Sequence, residues 1–491
     1  MRFWTTITLI LVLSVAGLTY EIAAGRVLAP FFGTSLVTWT AVIATVLAGF
    51  SLGSALGGLV AERERHAAVR SVRAALVATA VLMALSPAVL GLLYAGGARG
   101  TGGMLFTVFV AFFPASVLVT IPSPFLAKLA VEARPGREGS SLGLVLAAGS
   151  LGAIVGAILA GFVTLPLVGS AATFAGCGAV VLLCTPFIRS RAPGARGDAD
   201  AADGTLAAIV PAGLVVAASL TGGSVCQYES GLSCIDVLRT GTAVHLYSDR
   251  TAQAAERIVQ TDEQADALPE LVLPYTQWLW ARMDRDLGPA PSVLFIGGGG
   301  YTLPTKLLAS RSSAQAVAVE IDPLVTSVVQ QHLPMAAAMI ERTGFEATRE
   351  GREEGRLGIV HEDGRVYINE TDRRFDAVVM DAFSSGSVPA HLATVETYER
   401  LKVIVAGPVY VNLIDAPDGP LARGIHAILS DLYPHVEAVQ GPVSDRGRAN
   451  ILLAASPTPL APPDAMPNGY EPASITPGRA FTDDLGWVGH R

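Results

Sequence analysis

Apolar residues run almost unbroken through the first 220 or so positions of the chain. Runs near 3–24, 39–60, 72–95, 104–131, 141–165 and 170–188 each reach or approach the roughly 20 residues that a helix needs to cross a bilayer. A seventh run, 205–221, is shorter and contains Pro211, Gly213 and many alanines, which weaken insertion. Positive charge clusters in ERERHAAVRSVR (62–73), between Arg134 and Arg137, and between Arg189 and Arg196. These loops alternate with nearly uncharged ones, so the positive-inside rule places them and the N-terminus in the cytoplasm. Six spans leave the rest of the chain cytoplasmic, whereas a complete seventh puts it outside. The pattern leaves both open.

From about 222 the texture changes. Short β-type stretches, SCIDVLR (233–239) and AVHLYSD (243–249), form a lead-in that ends near 256, and a helical segment is expected over 262–285. Strand and helix patterns then alternate over 292–297, 302–310, 315–321, 323–332, 357–361, 375–381, 395–403, 407–414 and 420–432. Such alternation predicts a mostly parallel, doubly wound sheet. The Pro-rich stretch 456–472 reads as loop or tail. The expected organisation is thus a membrane domain 1–221, a β lead-in 222–256, an α/β domain 257–455 and a tail 456–491.

Composition supports the division. Over 491 residues, 51% hydrophobic and only 15% charged content exceeds what a water-soluble chain carries, so part of it belongs in lipid. A net charge of −8 with no basic face argues against a nucleic-acid partner. The four cysteines show no metal spacing and no redox pair, and no metal is expected. Cys177 and Cys184 lie in an apolar span and read as packing residues, while Cys226 and Cys234 flank a polar stretch and would bridge only in an oxidising compartment. No small-residue cleavage site follows the first run, so 3–20 reads as a retained helix. Small-residue ladders (Gly49, Gly53, Gly57; Gly152, Gly156, Ala160) permit close helix packing, and their similar texts suggest that spans one to three and four to six are repeats. Glu21, at the end of the first span, is either a structural ion pair with Arg26 or a functional carboxylate.

The chemistry gathers after the strands of the second half, where open α/β sheets bind ligands. The strand VLFI (293–296) runs into Gly297, Gly298, Gly299 and Gly300, a loop where no Cβ keeps a ligand from the backbone. Glu320 follows Gly300 by twenty residues at the end of the next strand, a spacing that suits an acid holding ribose hydroxyls. Asp363 in HEDGR and Asp381 in FDAVVMDAF also follow strands. An acid there is often only a helix cap, but four such positions in this order point to a nucleoside site.

The order of glycine loop, VEIDP, DGR and FDAVVMDAF followed by PAHL resembles the spermidine synthase (polyamine aminopropyltransferase) family over about 225–455. The helical half, with GLTYE, LGSALGG and SLGAIVGAILAGFVTLP, resembles its membrane-fused members over most of 10–175. The resemblance implies a Rossmann-like fold of the class I S-adenosylmethionine-binding type and a place in polyamine biosynthesis. It also implies residue roles: Glu320 on the ribose, Asp363 on the adenine amino group, Gly297, Gly298 and Gly299 along the nucleoside, Gln253 before the core, and Asp381 as the catalytic acid at the amine. The implied donor is decarboxylated S-adenosylmethionine, or S-adenosylmethionine itself, and the acceptor is a small amine. Three departures stand out: Gly300 and Ser384 occupy positions of expected aspartates, and LPYTQ (273–277) stands where the family has Tyr-His-Glu. A methyltransferase acting on a small amine or lipid, and a nucleoside-sensing or transport-associated protein, therefore remain as alternatives. The expected location is the cell (inner) membrane with the α/β domain cytoplasmic, where such a donor is made. Homodimerisation stays open.

Overall fold

The computed structural model describes residues 2–33, 36–189, 204–222, 225–258, 268–347, 355–382, 389–445, 447–461 and 466–486. Contacts divide the chain into two units, Met1–Leu232 and Ser233–Arg491.

The first unit is helical. Phe3–Phe32, Leu36–Glu62, Arg65–Ala95, Gly100–Glu132 and Glu138–Phe187 are each long and apolar enough to cross a membrane. The last is 50 residues, about 75 Å at 1.5 Å per residue, more than twice a hydrocarbon core of about 30 Å. It is interrupted at Gly169, whose φ of 77° and ψ of 175° are not helical, so the expected runs 141–165 and 170–188 become its two arms. Leu146, Ile154, Phe162 and Leu167 lie exposed along it, a row that lipid accommodates and water does not.

The glycine ladders are helix contacts. A Cβ on Gly49, Gly53 or Gly57 would meet Ser116, the Val117 carbonyl (2.0 Å) or the Ile121 carbonyl respectively. The partner numbers rise together, so the second helix runs parallel to Gly100–Thr120. A Cβ on Gly152 or Gly156 would meet the Leu11 or Val15 carbonyl, so Glu138–Leu159 runs parallel to Phe3–Phe32. Thr19 Oγ1 donates to the Gly156 carbonyl at 3.1 Å on the same seam. Second-on-fourth and fifth-on-first are the same pairing under exchange of two three-helix repeats, which accords with the similar ladder texts. Ala160 is fully buried at the start of a π-helical turn, Ala160–Thr164. Glu21 is buried at 8% exposure.

In the second unit the strands are numbered with the short β1 (Tyr228–Glu229) of the first: β2 (Cys234–Thr240), β3 (Ala243–Ser248), β4 (Thr251–Arg257), β5 (Ser292–Ile296), β6 (Gln315–Val319), β7 (Gly344–Glu346), β8 (Leu357–Val360), β9 (Ala377–Met380), β10 (Val409–Asp415), β11 (His435–Gln440), β12 (Ala449–Ser456) and β13 (Glu471–Pro472). β2, β3 and β4 pair antiparallel in sequence. The large sheet has the order β13-β11-β12-β10-β9-β5-β6-β8-β7. Its strands from β7 to β10 are parallel, but β12, β11 and β13 join antiparallel, so the sheet is mixed. The parallel strands are near-continuous apolar runs because helices cover both faces: β5, β6, β8 and β9 are buried at almost every position.

Two expectations change, and one helix is added. The helix expected over 262–285 begins only at Pro274 and ends at Asp286, with 259–267 outside the described residues. Proline has no N–H to donate and fits the first turn, so Pro274 marks a start. A second helix, Pro334–Thr343, starts in the same way. The Pro-rich end is more than a tail: β13 pairs with β11, and Val395 N–H donates to the Phe481 carbonyl at 2.8 Å.

The ladder geometry gives a controlled comparison. Gly53→Ala places a methyl group in the Val117 carbonyl, whereas Gly58, in the same helix, has nothing within 4 Å. Overpacking of this kind costs about 1–3 kcal/mol. Thermal unfolding of the detergent-solubilised chain is expected to show that loss for Gly53→Ala and none for Gly58→Ala.

Candidate active site at the carboxyl ends of the parallel strands

Because β9, β5, β6 and β8 are neighbours and parallel, the segments leaving their carboxyl ends are brought side by side. Asp381 N–H bonds the Ile296 carbonyl (2.8 Å), Gly297 N–H the Val319 carbonyl (2.9 Å) and Glu320 N–H the Val360 carbonyl (2.9 Å), each extending a ladder one step past its strand. Asp381, the glycine loop and Glu320 are thereby fixed by backbone.

The loop turns through left-handed conformations at Gly297 (φ 95°), Gly299 (φ 49°) and Tyr301 (φ 55°). Glycine is required at the first, since a Cβ there would lie 2.6 Å from the Asp381 carbonyl oxygen. Tyr301 is fully buried and bonds Thr326 Oγ1 at 2.7 Å, which in turn meets His361 Nε2 at 2.9 Å. A non-glycine residue held left-handed beside the loop is strain that the packing around it must offset.

Glu320 is 7% exposed. Its Oε2 accepts from Gly299 N–H at 2.9 Å and its Oε1 from Asp322 N–H at 3.1 Å, while burial raises its pKa against these bonds. Each oxygen retains a lone pair, so a pair of ligand hydroxyls fits the same carboxylate. Asp363 does cap a helix: Oδ1 accepts from Arg365 N–H (2.8 Å) and Val366 N–H (3.3 Å). Its Oδ2 faces His391 Nε2 at 3.0 Å.

Asp381 is a strongly perturbed carboxylate. The residue keeps some accessible surface, yet its carboxyl group is enclosed, and burial pushes its pKa up to about 7 against lowering by hydrogen bonds from Asn412 and Tyr275. Asn412 Nδ2 donates to Oδ1 at 2.7 Å, and Asn450 Nδ2 holds the Asn412 amide by donating to its Oδ1 at 2.9 Å. Tyr275 Oη lies 3.2 Å from both Asp381 Oδ2 and the Gln253 carbonyl. A phenol has one proton, so while it donates to Gln253 only a protonated Asp381 completes the other bond. Gln253 thus lies beside the site through its backbone, and its carbonyl oxygen is 3.8 Å from the Cβ position of Gly299.

Tyr275, Asn412, Asn450 and His391 were not singled out in the sequence. Tyr275 lies in LPYTQ, so that segment supplies a tyrosine to the acid despite its divergent text. Asn412 left a signal, being the one amide in the apolar strand VYVNLID. Gly300 has a structural reason to lack a side chain, because a Cβ there would lie 2.0 Å from Ala254 Cβ on β4. Ser384 falls outside the described residues. Among the described residues no three His, Cys, Asp or Glu side chains gather as a metal site.

A mixed, largely parallel sheet with a glycine loop and acids at its strand ends defines a Rossmann-like α/β domain. The family model of the Spermine/spermidine synthase domain matches residues 287–411, and this part of the chain is a domain of that kind. The polyamine aminopropyltransferase of Saccharolobus solfataricus is 30% identical over 119 residues, 24% of this chain and 36% of its own length. Polyamine aminopropyltransferase 2 of Pseudomonas aeruginosa is 26% identical over 174 residues, 33% of this chain and 46% of its own. The chain thus spans less than half the length of these curated relatives. A probable spermidine synthase from Corynebacterium glutamicum aligns in structure with a TM-score of 0.39 and 17% identity, over 48% of this chain and 82% of that one.

The packing at Gly300 is testable. Gly300→Asp, which supplies the expected acid, is expected to cost about 1–3 kcal/mol by overpacking against Ala254. Ala254→Gly in the same chain is expected to recover most of that loss in a thermal unfolding measurement.

Proposed function

We propose that this chain is a membrane-bound, spermidine-synthase-like transferase that moves an aminopropyl group from a decarboxylated S-adenosylmethionine-type donor to a small amine. The observation that carries the reading is Asp381. A carboxylate with a pKa near 7, held by Tyr275 and Asn412 beside the glycine loop, is what a site for a cationic amine and its proton needs. In the reaction the amine nitrogen attacks the methylene next to the sulfonium, the carbon–sulfur bond breaks, methylthioadenosine leaves, and Asp381 accepts or orients the amine proton. Glu320 takes the ribose hydroxyls and the loop Gly297–Gly299 leaves room for the nucleoside. Asp363, with one oxygen spent on its helix, offers the other toward the adenine amino group beside His391. The chain supplies mainly position and charge. The first unit holds it in a lipid bilayer, and neither metal nor nucleic acid takes part.

One observation favours a second reading. The space at Gly300 is filled by Ala254, so no acid grips the donor's amine there, which suits S-adenosylmethionine and methyl transfer to an amine or lipid.

Calorimetry of the solubilised chain with the two sulfonium nucleosides and methylthioadenosine separates these readings: tighter binding of the decarboxylated form supports aminopropyl transfer. Glu320→Ala is expected to weaken whichever nucleoside binds by about 1.5–3 kcal/mol, the scale of hydrogen bonds to a charged group. Unchanged affinity would reduce Glu320 to a brace for the loop.

Asp381→Asn is expected to keep donor affinity and lose roughly 10²-fold or more in turnover, the contribution of a positioned base. With a pKa of about 7, Asp381 is neutral below that pH. Wild-type kcat/KM for the amine should therefore rise as pH passes 7, and the Asn variant should lack this limb. The sign for stability is opposite. The acid's ordinary value is 3.8, so its contribution is full below about 3.8 and is lost as pH rises through about 7.

A further inference from the structure

We infer that the chain crosses the membrane seven times, so that it leaves the helical unit on the side opposite the basic loops and the α/β unit follows it there. Every contact used here lies inside Met1–Leu232, and the α/β unit follows only through the peptide bond after Leu232.

Side-chain contacts define the two ends of the helical unit. At one end Arg134 lies 3.5 Å over the Phe3 ring, Lys128 Nζ donates to the Ala61 carbonyl at 2.7 Å, and Arg73 Nε donates to the Ile188 carbonyl at 2.8 Å. The N-terminus, the turns at 63–64 and 133–137, and the end of the helix Leu165–Cys184 therefore share a face. Arg2, Arg63, Arg65, Arg70, Arg73, Lys128, Arg134, Arg137 and Arg189 lie at this end. At the other, Phe31 and Phe32 meet Tyr94 at 5.1 and 5.5 Å, and Arg26 and Arg99 are the described cations. Nine against two makes the first face cytoplasmic.

The last helical segments run from that face to the other. A Cβ on Gly213 would lie 3.7 Å from Leu182, and one on Gly178 would lie 3.5 Å from Val216. Ser170 N–H donates to Glu229 Oε2 at 3.0 Å, and Ser170 Oγ donates to Glu229 Oε1. As the chain advances through 213, 216 and 229, its partners retreat through 182, 178 and 170, so the segment is antiparallel to Leu165–Cys184. Arg26 Nε, near the far end of Phe3–Phe32, donates to the Ser230 carbonyl at 3.1 Å, an independent contact placing 229–230 at the outer face.

Gly204–Ala207, Ile209–Ser219 and Leu220–Gly222 are helical in succession. From 204 to 222 they cover about 28 Å at the α-helical rise, close to a hydrocarbon core of about 30 Å. Pro211 does not break them, because it falls in the first turn of Ile209–Ser219, where its missing N–H has no partner to lose. The cytoplasmic side expected from six spans is thereby reversed.

The sidedness does not depend on the transferase reading, but it sets that reading a condition: donor and amine must be present in the outer compartment.

Single cysteines placed in the full chain test this. Ser140→Cys is exposed in the basic turn region and Ser313→Cys is exposed in the α/β unit, away from the site. In intact spheroplasts a membrane-impermeant maleimide, scaled to labelling after disruption, should label Ser313→Cys several-fold more than Ser140→Cys. Equal labelling, or the reverse order, overturns the inference. Donor binding by the solubilised protein is indifferent to sidedness, so failure here and failure of the transferase reading are told apart.

Discussion

Everything at the candidate site depends on the crowding where β5 ends between β9 and β6. The chain must leave Ile296 with the Asp381 carbonyl on one side and Glu320 on the other. Only a residue without Cβ fits against that carbonyl, and only a left-handed turn redirects the loop so that Gly299 N–H reaches Glu320. One steric requirement thus exposes backbone, sets the carboxylate and keeps the Asp381 backbone against the loop.

The polar groups around Asp381 show why such a site belongs on a rigid sheet. Three side chains from three separate segments, Tyr275, Asn412 and Asn450, form a chain of hydrogen bonds ending on one carboxylate. Each buried donor is satisfied by the next, so none bears the full cost of desolvation. The acid itself bears it, which is why burial outweighs two hydrogen bonds and its pKa rises. A group that changes charge near neutrality on a fixed scaffold can exchange a proton without rearrangement.

The helical unit follows a different rule. Its helices are apolar on most sides, so close approach comes from surfaces small enough to permit it. Gly49, Gly53 and Gly57 against one helix, and Gly152 and Gly156 against another, supply two matching seams that also fix which helices run parallel. Direction, once fixed by those seams, decides at which face each loop lies and hence where the chain departs.

What the sequence determined by itself was whatever is written in local pattern. The long apolar runs, the alternation of strands and helices from 292 to 432, the glycine loop and the strand-end acids Glu320, Asp363 and Asp381 were all legible, because periodicity and turn chemistry act over a few residues. Asp363 was legible both as a ligand-facing acid and as a helix cap, since both uses ask for the same residue after a strand, and the structure shows the cap. Tertiary structure alone decided what depends on distant partners. Asn412 and Tyr275 meet Asp381 from 31 and 106 residues away, Gly300 lacks a side chain because Ala254 fills its space, and β11, β12 and β13 are the antiparallel part of a sheet expected to be mostly parallel. The short run after 204 was ambiguous by hydropathy, and only its antiparallel contacts with Leu182, Gly178 and Ser170 gave it a direction. Hydropathy measures how well a segment tolerates lipid, whereas direction is a property of neighbours, and neighbours exist only in the folded chain.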